Sequence, residues 1–366
     1  MATSEFARLP GFRDFPPEDF ALRAHIQDTW RSVAGRYGFQ EYDGPVLEPL
    51  DLYVEKSGEE IVGQLYNFVD KGERSVAMRP EMTPSLARIL GDRSRGMSKP
   101  IRWFSMPQLF RYERQQRGRL REHFQMNVDI VGEEGVSADA EVLAVAIDGL
   151  RALGLTAEDF AARVSDRRLL SALLRVVGVA EDRLSAAFAI IDKIERLPEE
   201  KSRDLFRTEA GLDDGQIATL RGLLEVTGVD ALAEGFGGHA EVAPELERLR
   251  AYVERLDAMG LGDFVQVDLR IVRGLAYYTG IVFELFDRAG ELRAICGGGR
   301  YDRLLELVGG EPLPAVGFGM GDVVLGELLA DRGLIPEDTR SVDFFVVPVT
   351  TAEQPEALRL AHALRD

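Results

Sequence analysis

The chain has 366 residues, of which 45% are hydrophobic and 29% are charged, and a formal net charge of −18. This composition is typical of a folded globular protein, and the length allows about two or three domains. The acidic balance excludes a protein that coats nucleic acid by bulk electrostatics, although a folded RNA can still dock on a local basic patch. No segment is long and apolar enough for a membrane span, the N-terminus lacks a signal-peptide pattern, and the single Cys296 excludes an intrachain disulfide. We therefore expect a cytoplasmic protein with no membrane partner.

The N-terminal segment predicts a helix followed by extended pieces. A turn at LPGFRD (9–14) leads to a helix start at Pro16-Pro17, and the spacing of apolar residues carries the helix to Gly38. FQEYDGPVLEPLDLY then reads as a short strand, a break at Gly44-Pro45 and a second extended piece. On its own, this break predicts only a turn.

Residues 65–79 predict a β-hairpin, and a short proline-bounded segment, RPEMTP, follows at 79–84. This segment presents Glu81 and Thr83, whose carboxylate and hydroxyl suit an ammonium group. Thr83 is equally suited to cap a helix that has Pro84 in its first turn. The two roles are compatible, and the residues alone leave both open.

The stretch IRWFSMPQLFRYERQQRGRLREHFQMNVDIVG (101–132) predicts two strands joined by a long loop rich in arginine and glycine. Planar guanidinium groups at this density suit phosphate, because each can donate two parallel hydrogen bonds to its oxygens. The loop arginines are Arg111, Arg114, Arg117, Arg119 and Arg121. A solvated, charge-laced hairpin is the alternative interpretation.

The second of these strands carries polar residues where a core strand would be apolar. Gln125, Asn127 and Asp129 share one face, since side chains alternate along a strand. A strand that turns polar residues inward usually lines a site, so we expect a binding site beside the arginine loop. We interpret His123, in the same stretch, as a structural or positioning residue and not as a general base.

Residues 137–154 predict one helix, and 159–260 predict a run of amphipathic helices divided by Gly, Pro and Asp. We interpret the run as a helical insertion of about a hundred residues, either a structural spacer or an RNA-contacting element. FVQVDLRIVRGLAYYTGIVFELFD (264–287) returns to a strand pattern that contains Arg270 and Arg273. A cation inside a β-rich run is costly unless it meets an anion.

The C-terminal third contains three more recognisable segments. AICGGGRYDRLL (294–305) has three consecutive glycines, which permit close backbone approach. PAVGFGMGDVVLGELL (314–329) predicts a strand that leads into a helix. SVDFFVVPVTTAEQPEALRLAHALRD (341–366) predicts a strand, a loop and the start of a helix.

Together these segments resemble the class II aminoacyl-tRNA synthetases in their histidyl form. FRYERQQRGRLREHFQMNVDIVG is similar to motif 2, and Gly44-Pro45 is placed as in motif 1, which forms the dimer interface of the family. VRGLAYYTG is similar to the histidyl-specific Val-Arg-Gly-Leu-x-Tyr-Tyr-Thr-Gly signature, with Ala276 where many members have Asp. AICGGGRYD is similar to the second histidyl signature. The resemblance extends from Gly11 to the last residue.

The resemblance implies an α+β fold, with a class II catalytic domain of about six antiparallel strands flanked by helices. It divides the chain into a first catalytic part (1–158), the helical insertion (159–260), a second catalytic part (261–335) and the start of an α/β anticodon-binding-like domain (341–366). That last domain needs roughly a hundred residues, so we expect an incomplete stub. Either the chain is a piece of a longer protein or the protein lacks the full domain. The family also implies a homodimer.

The reaction that the resemblance implies has two steps. The carboxylate of L-histidine attacks the α-phosphate of ATP, which gives histidyl-adenylate and pyrophosphate, and the terminal ribose of tRNA(His) then takes the histidyl group. Positioned arginines lower the first barrier by preorganised electrostatics, with Mg²⁺ assisting on the phosphates. No metal site formed by side chains is expected.

The family's site residues carry over position by position. The catalytic positions are Arg111, at the α-phosphate, and Arg273, which bridges the histidine carboxylate and the α-phosphate. The further ATP-binding positions are Glu113, at the adenine amine, Arg119 and Arg121. The histidine-binding positions are Glu81, Thr83 and Gln125 for the α-ammonium, Asp129, Tyr278 and Tyr301 for the imidazole, and Arg273 and Tyr277.

The largest departure from the family lies in motif 3. The usual Gly-x-Glu-Arg ends in an arginine that clamps ATP, whereas Gly321-Asp322-Val323-Val324 occupies that place here. The loss of a guanidinium that faces phosphate weakens nucleotide binding or catalysis, since one oriented charge supplies several kcal/mol. A plant-organelle-like branch of the family carries this Gly-Asp variant. We therefore interpret it as a branch marker, with another basic residue, in the motif 2 loop for example, compensating for Val324.

Three functions follow from these residues. The first is a histidyl-tRNA synthetase, an aminoacyl-tRNA ligase. The second is a non-catalytic, histidine-binding paralogue that regulates ATP phosphoribosyltransferase; Val324 and the stub favour it, and Arg111, Glu113 and Arg273 oppose it. The third is a synthetase-like enzyme with a non-tRNA acceptor. Pyrophosphate exchange with histidine, followed by tRNA charging, separates them.

Overall fold

The computed structural model describes residues 7–57, 59–112, 114, 116–272, 278–307, 309–336 and 342–365. They form a large unit that ends at Ile335 and a small unit that begins at Pro336. The strands are β1 (Gln40–Glu41), β2 (Leu47–Pro49), β3 (Asn67–Val69), β4 (Ser75–Met78), β5 (Ile101–Ser105), β6 (Gln108–Phe110), β7 (Glu122–Val131), β8 (Phe160–Asp166), β9 (Val265–Val267), β10 (Ile281–Asp287), β11 (Cys296–Arg300) and β12 (Ala315–Gly321).

The helices are α1 (Pro17–Arg36), α2 (Asp51–Ser57), α3 (Thr83–Arg93), α4 (Val136–Arg151), α5 (Arg167–Val177), α6 (Leu184–Ile191), α7 (Glu199–Thr208), α8 (Asp214–Leu224), α9 (Val229–Phe236), α10 (Ala243–Ala258), α11 (Leu304–Leu307), α12 (Asp322–Asp331) and α13 (Gln354–Ala363). None of these described helices is long and apolar enough to cross a bilayer.

A nine-stranded sheet organises the large unit. Eight of its strands follow the order β1-β5-β7-β12-β11-β10-β8-β9, and the ninth strand, β6, pairs with β7 outside this order. The central run from β5 to β8 is antiparallel at every step. Among the described strands of this sheet, only the outer strands β1 and β9 pair in parallel with their neighbours. The expected α+β fold with an antiparallel sheet flanked by helices is therefore confirmed.

The two faces of this sheet differ because side chains alternate along each strand. On one face Met126, Val128 and Ile130 of β7 are fully buried, and the strand register sets them beside Met320, Phe318 and Val316 of β12. Helix α4 packs against this face, and its small, almost wholly buried side chains allow a close approach. The opposite face carries the polar residues of β7.

A second, three-stranded antiparallel sheet has the order β2-β4-β3. Strands β3 and β4 form the hairpin predicted at 65–79, and the carboxylate of Asp70 closes its turn by accepting from the backbone N–H groups of Gly72 at 2.8 Å and Arg74 at 3.0 Å. The predicted helices near 17–38 and 137–154 are also present, as α1 and α4.

The run of helices predicted for 159–260 begins later than expected. Residues 160–166 form β8, which pairs with β10 on one side and β9 on the other, so they belong to the sheet. Helices α5 to α10 then follow from Arg167 to Ala258. Because the structure groups these helices with the sheet in one compact unit, the division of this unit into catalytic parts and an insertion remains a prediction.

The strand expected to carry Arg270 is also shorter than predicted. Strand β9 ends at Val267, and Arg270 lies in the turn that follows, where its guanidinium pairs with Asp268 at 2.8 Å and Glu195 at 3.2 Å. Local carboxylates therefore satisfy this cation outside the sheet. Arg273 and Tyr277 fall within 273–277, outside the described residues.

In the small unit, residues 351–353 form one helical turn, and α13 follows. The start of a helix predicted for this segment is therefore present. The strand predicted just before it is not formed within the described residues 342–349. A strand needs a hydrogen-bonded partner, and the described part of this unit contains no second strand. Glu353 instead caps the turn by accepting from the N–H groups of Val349 and Thr350.

Candidate functional site

Glycines form the floor of the candidate site. Gly317, Gly319 and Gly321 of β12 lie directly opposite the three polar residues of β7, which are Asp129, Asn127 and Gln125. A Cβ on Gly317 would come 2.9 Å from the hydroxyl oxygen of Tyr301, and one on Gly319 would come 2.8 Å from Cδ of Gln125. The glycines therefore leave the space above β12 to the polar side chains, which share one face of β7 as predicted.

The arginine loop rises from one end of this floor. Its base is closed by the N–H of Arg111, which donates to the carbonyl of Arg121 at 2.9 Å. Its tip turns at Gly118, where φ is +70°. The tip is anchored on α12, because the N–H of Gly118 donates to Glu327 at 3.0 Å and Arg117 pairs with both Glu327 and Asp331.

A cleft of about 210 Å³ lies between this loop and the floor. Three guanidinium groups line it: Arg111 and Arg119 from the loop, and Arg293 from the segment before β11. The other lining residues are Gly118, Leu120, His123, Gln125, Ala294, Ile295, Cys296, Gly297, Gly319, Gly321 and Val323. An arginine-lined cleft above a glycine floor is suited to a polyphosphate.

The electrostatics of the cleft favour an anion. Burial lowers the pKa of Arg119, and the nearby charges of Arg293 and Arg111 lower it further. Burial and the charge of Arg111 also lower the pKa of His123 to about 3, against a weaker opposing effect of Gln125. His123 is therefore neutral near pH 7 and cannot take up a proton as a base there. Its Nε2 lies 3.3 Å from Oε1 of Gln125, which suits a positioning role.

The predicted ATP-binding residues separate in the structure. Arg111 and Arg119 line the cleft, and Arg111 is held by a 3.0 Å hydrogen bond from Nε to the carbonyl of Pro80. Arg121 does not line it, and its guanidinium lies over the ring of Tyr112 at 4.3 Å from the centroid. Glu113 lies outside the described residues.

The predicted imidazole-binding residues come together at the other end of the floor. The hydroxyl of Tyr301 donates a hydrogen bond to Oδ1 of Asp129, and both side chains are buried. The rings of Tyr278 and Tyr301 lie 6.4 Å apart, centroid to centroid. Gln125, predicted for the α-ammonium, lies between this pair and the arginines and lines the cleft itself.

Glu81 and Thr83 lie at the start of α3, on the segment that also holds Arg111. Helix α3 begins at Thr83, with Pro84 in its first turn and no side-chain cap, so the capping role considered for Thr83 is wrong. Arg79 fixes the segment instead: buried, it donates to Asp43 at 2.6 Å and to the carbonyl of Gly44 at 2.8 Å. The RPEMTP segment and the Gly44-Pro45 break are therefore physically joined.

The variant motif 3 has a structural role. Asp322 begins α12 and is buried; it pairs with Arg13 at 2.9 Å and accepts from the N–H of Phe124 at 2.9 Å. Burial raises the pKa of Asp322, and the charge of Arg13 opposes this rise. Arg13 also pairs with Glu122 at 2.7 Å, so one network joins the N-terminal segment, the start of β7 and α12.

Two residues of this region were absent from the sequence prediction. Arg13 sits in the LPGFRD turn, and nothing in its local pattern shows that it reaches Asp322. Arg293 lies just before the glycine run, and its closeness to that predicted ligand-approaching segment was the only available signal. Within the described residues no group of three or more His, Cys, Asp and Glu side chains is placed to hold a metal ion.

Comparison with known proteins assigns the chain to a family. A family model described as histidyl-tRNA synthetase matches residues 11–321. The chain is 46% identical to the histidine–tRNA ligase of Opitutus terrae, over 100% of this chain and 84% of that protein, and 46% identical to the chloroplastic/mitochondrial histidine–tRNA ligase of Arabidopsis thaliana, over 97% and 72%.

Solved structures agree in fold. The chain matches a histidyl-tRNA synthetase from Nostoc with a TM-score of 0.84 at 24% identity, covering 99% of this chain and 84% of that one. It matches an ATP phosphoribosyltransferase regulatory subunit/histidyl-tRNA synthetase from Bacillus halodurans with the same score and identity, covering 100% and 91%. The family model and the close relatives together decide the assignment: the chain belongs to the histidyl-tRNA synthetase family.

Proposed function

We propose that this chain ligates L-histidine to tRNA(His), with histidyl-adenylate as the intermediate. The observation that carries the proposal is the continuous floor of β7 and β12. It has the arginine-lined cleft at one end and the Asp129–Tyr301 pair at the other. A ligand with an imidazole and a ligand with phosphates can therefore lie end to end. Identity of 46% to histidine–tRNA ligases over nearly the whole chain supports the same reaction.

Adenylate formation joins two anions, so its barrier depends on nearby positive charge. The histidine carboxylate attacks the α-phosphate, the new bond is a mixed anhydride, and pyrophosphate leaves with the electron pair of the broken phosphoanhydride bond. Arg111 lies at the base of the loop, close to Gln125, and holds the α-phosphate there. Arg273 is proposed as the second guanidinium at this point, and Glu113 as the adenine contact. The terminal ribose of the tRNA then takes the histidyl group.

The imidazole of histidine is recognised by hydrogen bonds to both of its ring nitrogens. A neutral imidazole has one N–H donor and one acceptor nitrogen. Asp129, which is held by Tyr301, accepts from the N–H, and the phenol of Tyr278 donates to the other nitrogen. Gln125, Glu81 and Thr83 hold the α-ammonium. The buried pair of Asp129 and Tyr301 suits this task, because a site built to hydrogen-bond a substrate strongly rejects analogues that lack the partner groups.

Mg²⁺ enters this scheme with ATP. The described side chains offer arginines and not clustered carboxylates at the cleft, so they fit phosphates and do not fit a resident divalent cation. Mg²⁺ therefore belongs to the nucleotide, where it screens the phosphate charges. A cytoplasmic location and a homodimer that forms through the three-stranded sheet complete the proposal.

The proposal is tested by pyrophosphate exchange. The purified protein should incorporate labelled pyrophosphate into ATP when L-histidine and Mg²⁺ are present, and not with L-alanine or without an amino acid. Arg111→Ala should slow exchange by about 10²–10³, since one oriented donor at the reacting charge is lost. Charging of tRNA(His) should follow. Absence of exchange at saturating substrates would favour a regulatory, histidine-binding role, and exchange without charging would favour a non-tRNA acceptor.

A further inference from the structure

Arg293 meets the arginine loop at its tip. It lies between β10 and β11 and lines the same cleft as Arg111 and Arg119. If Gly118 carried a Cβ, that atom would lie 3.9 Å from Cδ of Arg293 and 3.1 Å from Cγ2 of Val324. The aliphatic part of the Arg293 side chain and the side chain of Val324 therefore approach the same point of the loop from two different elements.

The segment that carries Arg293 is held on both sides. The buried carboxylate of Asp287 accepts from the backbone N–H groups of Glu291 at 3.1 Å and Leu292 at 3.0 Å. Leu292 packs against the hydrophobic core, and the N–H of Ile295 donates to the carbonyl of Leu285 at 2.8 Å. The backbone on either side of Arg293 is thus fixed, which preorganises its exposed side chain at the cleft.

The charge of Arg293 has no counterpart in the described chain. Arg117, in the same loop region, pairs with two carboxylates. Within the described residues, neither Arg111 nor Arg293 is paired with a carboxylate, although the chain carries a net charge of −18. Like charges held together at one cleft repel each other unless an anion joins them. An anion that carries several charges, as a polyphosphate does, balances more than one guanidinium at once.

We propose that Arg293 binds the β- and γ-phosphates of ATP, and hence the departing pyrophosphate, at the loop-tip end of the cleft. The inference rests on the proposed adenylation reaction and adds a residue to it. Arg111 lies at the loop base, toward Gln125 and the histidine end, so the α-phosphate belongs there. The remaining phosphates then extend toward Gly118, and both Arg293 and Val324 lie close to this glycine. Val324 is the position at which motif 3 usually has its arginine.

The test compares Arg293→Ala, Arg293→Lys and the double variant Arg293→Ala/Val324→Arg in pyrophosphate exchange. Arg303→Ala serves as the control, because it removes one charge from an exposed arginine outside the cleft. Arg293→Ala should raise KM for ATP and for pyrophosphate by about 10–100-fold, as expected for a lost charge-assisted contact. KM for histidine should change by less than about twofold. For Arg293→Lys, KM for ATP and for pyrophosphate should lie between the values of the parent and of Arg293→Ala, because lysine keeps the charge and loses the planar fork.

The double variant makes the test specific. Val324→Arg should restore much of the ATP affinity lost in Arg293→Ala, because both side chains reach the same part of the loop. An Arg293→Ala enzyme whose KM values for ATP and pyrophosphate equal those of the parent and of Arg303→Ala would overturn the proposal. If the parent shows no exchange, the proposed function fails instead, and calorimetric binding of MgATP to the parent and to Arg293→Ala then decides the role of Arg293 separately.

Discussion

His123 stands where the arginine cleft meets Gln125, so its protonation would add a fourth positive charge to three guanidinium groups. The folded protein avoids this, since burial and Arg111 lower the pKa of His123 to about 3 from an ordinary value of 6.5. A folded-state pKa below the unfolded value gives stability that is fully present above pH 6.5 and is lost as the pH falls toward 3. In the neutral form, one ring nitrogen can still orient the Gln125 amide.

Replacing His123 therefore changes the pH dependence of folding. His123→Gln retains a polar group at the position of Nε2 but does not titrate, so its free energy of unfolding should fall less steeply below pH 6.5. The difference in slope from the parent should reach at most about 1.4 kcal/mol per pH unit. Urea unfolding at several pH values measures it. His239→Gln, at an exposed position, is the matched control, and equal slopes for the parent and His123→Gln would contradict the shifted pKa.

At the scale of elements, β12 contributes space and not side chains to the site. Gly317 lies opposite Asp129, and a Cβ there would come 2.6 Å from the carbonyl oxygen of Val128 and 2.9 Å from the hydroxyl of Tyr301. Backbone cannot yield at such a distance without shifting the strand pair. Because the new Cβ would also crowd Asp129 and Tyr301, the glycine controls the geometry of the proposed imidazole-binding pair.

Gly317→Ala should accordingly destabilise the protein by about 1–3 kcal/mol through overpacking. It should also weaken histidine binding by at least roughly tenfold, as two hydrogen-bonding groups move. Chemical unfolding and calorimetric titration with histidine measure the two effects. Gly326→Ala is the control, because a Cβ at this helical glycine meets nothing within 4 Å, and it should be neutral or stabilising by about 0.5–1 kcal/mol. If Gly317→Ala bound histidine with the parental affinity, Gly317 would not control the geometry of Asp129 and Tyr301.

The difference between β7 and β12 shows what local sequence can and cannot predict. The polar face of β7 could be predicted from the sequence, because period-two alternation is a property of neighbouring residues. The glycines that lie opposite this polar face could not be predicted, because the register depends on pairing between strands far apart in sequence. The strand predicted to carry Arg270 was wrong for a different reason: its run resembles a strand, but the carboxylates of neighbouring Asp268 and of distant Glu195 hold Arg270 in a turn.

For the whole molecule, the three-stranded sheet leaves one apolar face exposed. The register places Leu47 beside Met78, and Phe68 beside Val76, and alternation sets all four on one face. Leu47 and Phe68 are 45% and 49% exposed. Clustered apolar exposure on a soluble protein usually marks an interface. Since β2 follows directly after the Gly44-Pro45 break that resembles motif 1, we propose this face as the contact surface of the homodimer.

A charge placed on this face should separate the subunits. Phe68→Glu puts a carboxylate among apolar side chains that would be desolvated in the dimer, and burying an unpaired charge costs several kcal/mol. Sedimentation equilibrium should give the parent twice the mass of one chain, and Phe68→Glu a mass that falls toward one chain on dilution. Met259→Glu introduces the same charge at a side chain of nearly equal exposure, 48%, after α10 on the large unit, and should leave the mass at that of the parent. A parent that sediments as one chain, or a Phe68→Glu variant as tightly associated as Met259→Glu, would place the subunit contact elsewhere and remove the proposed role of this sheet.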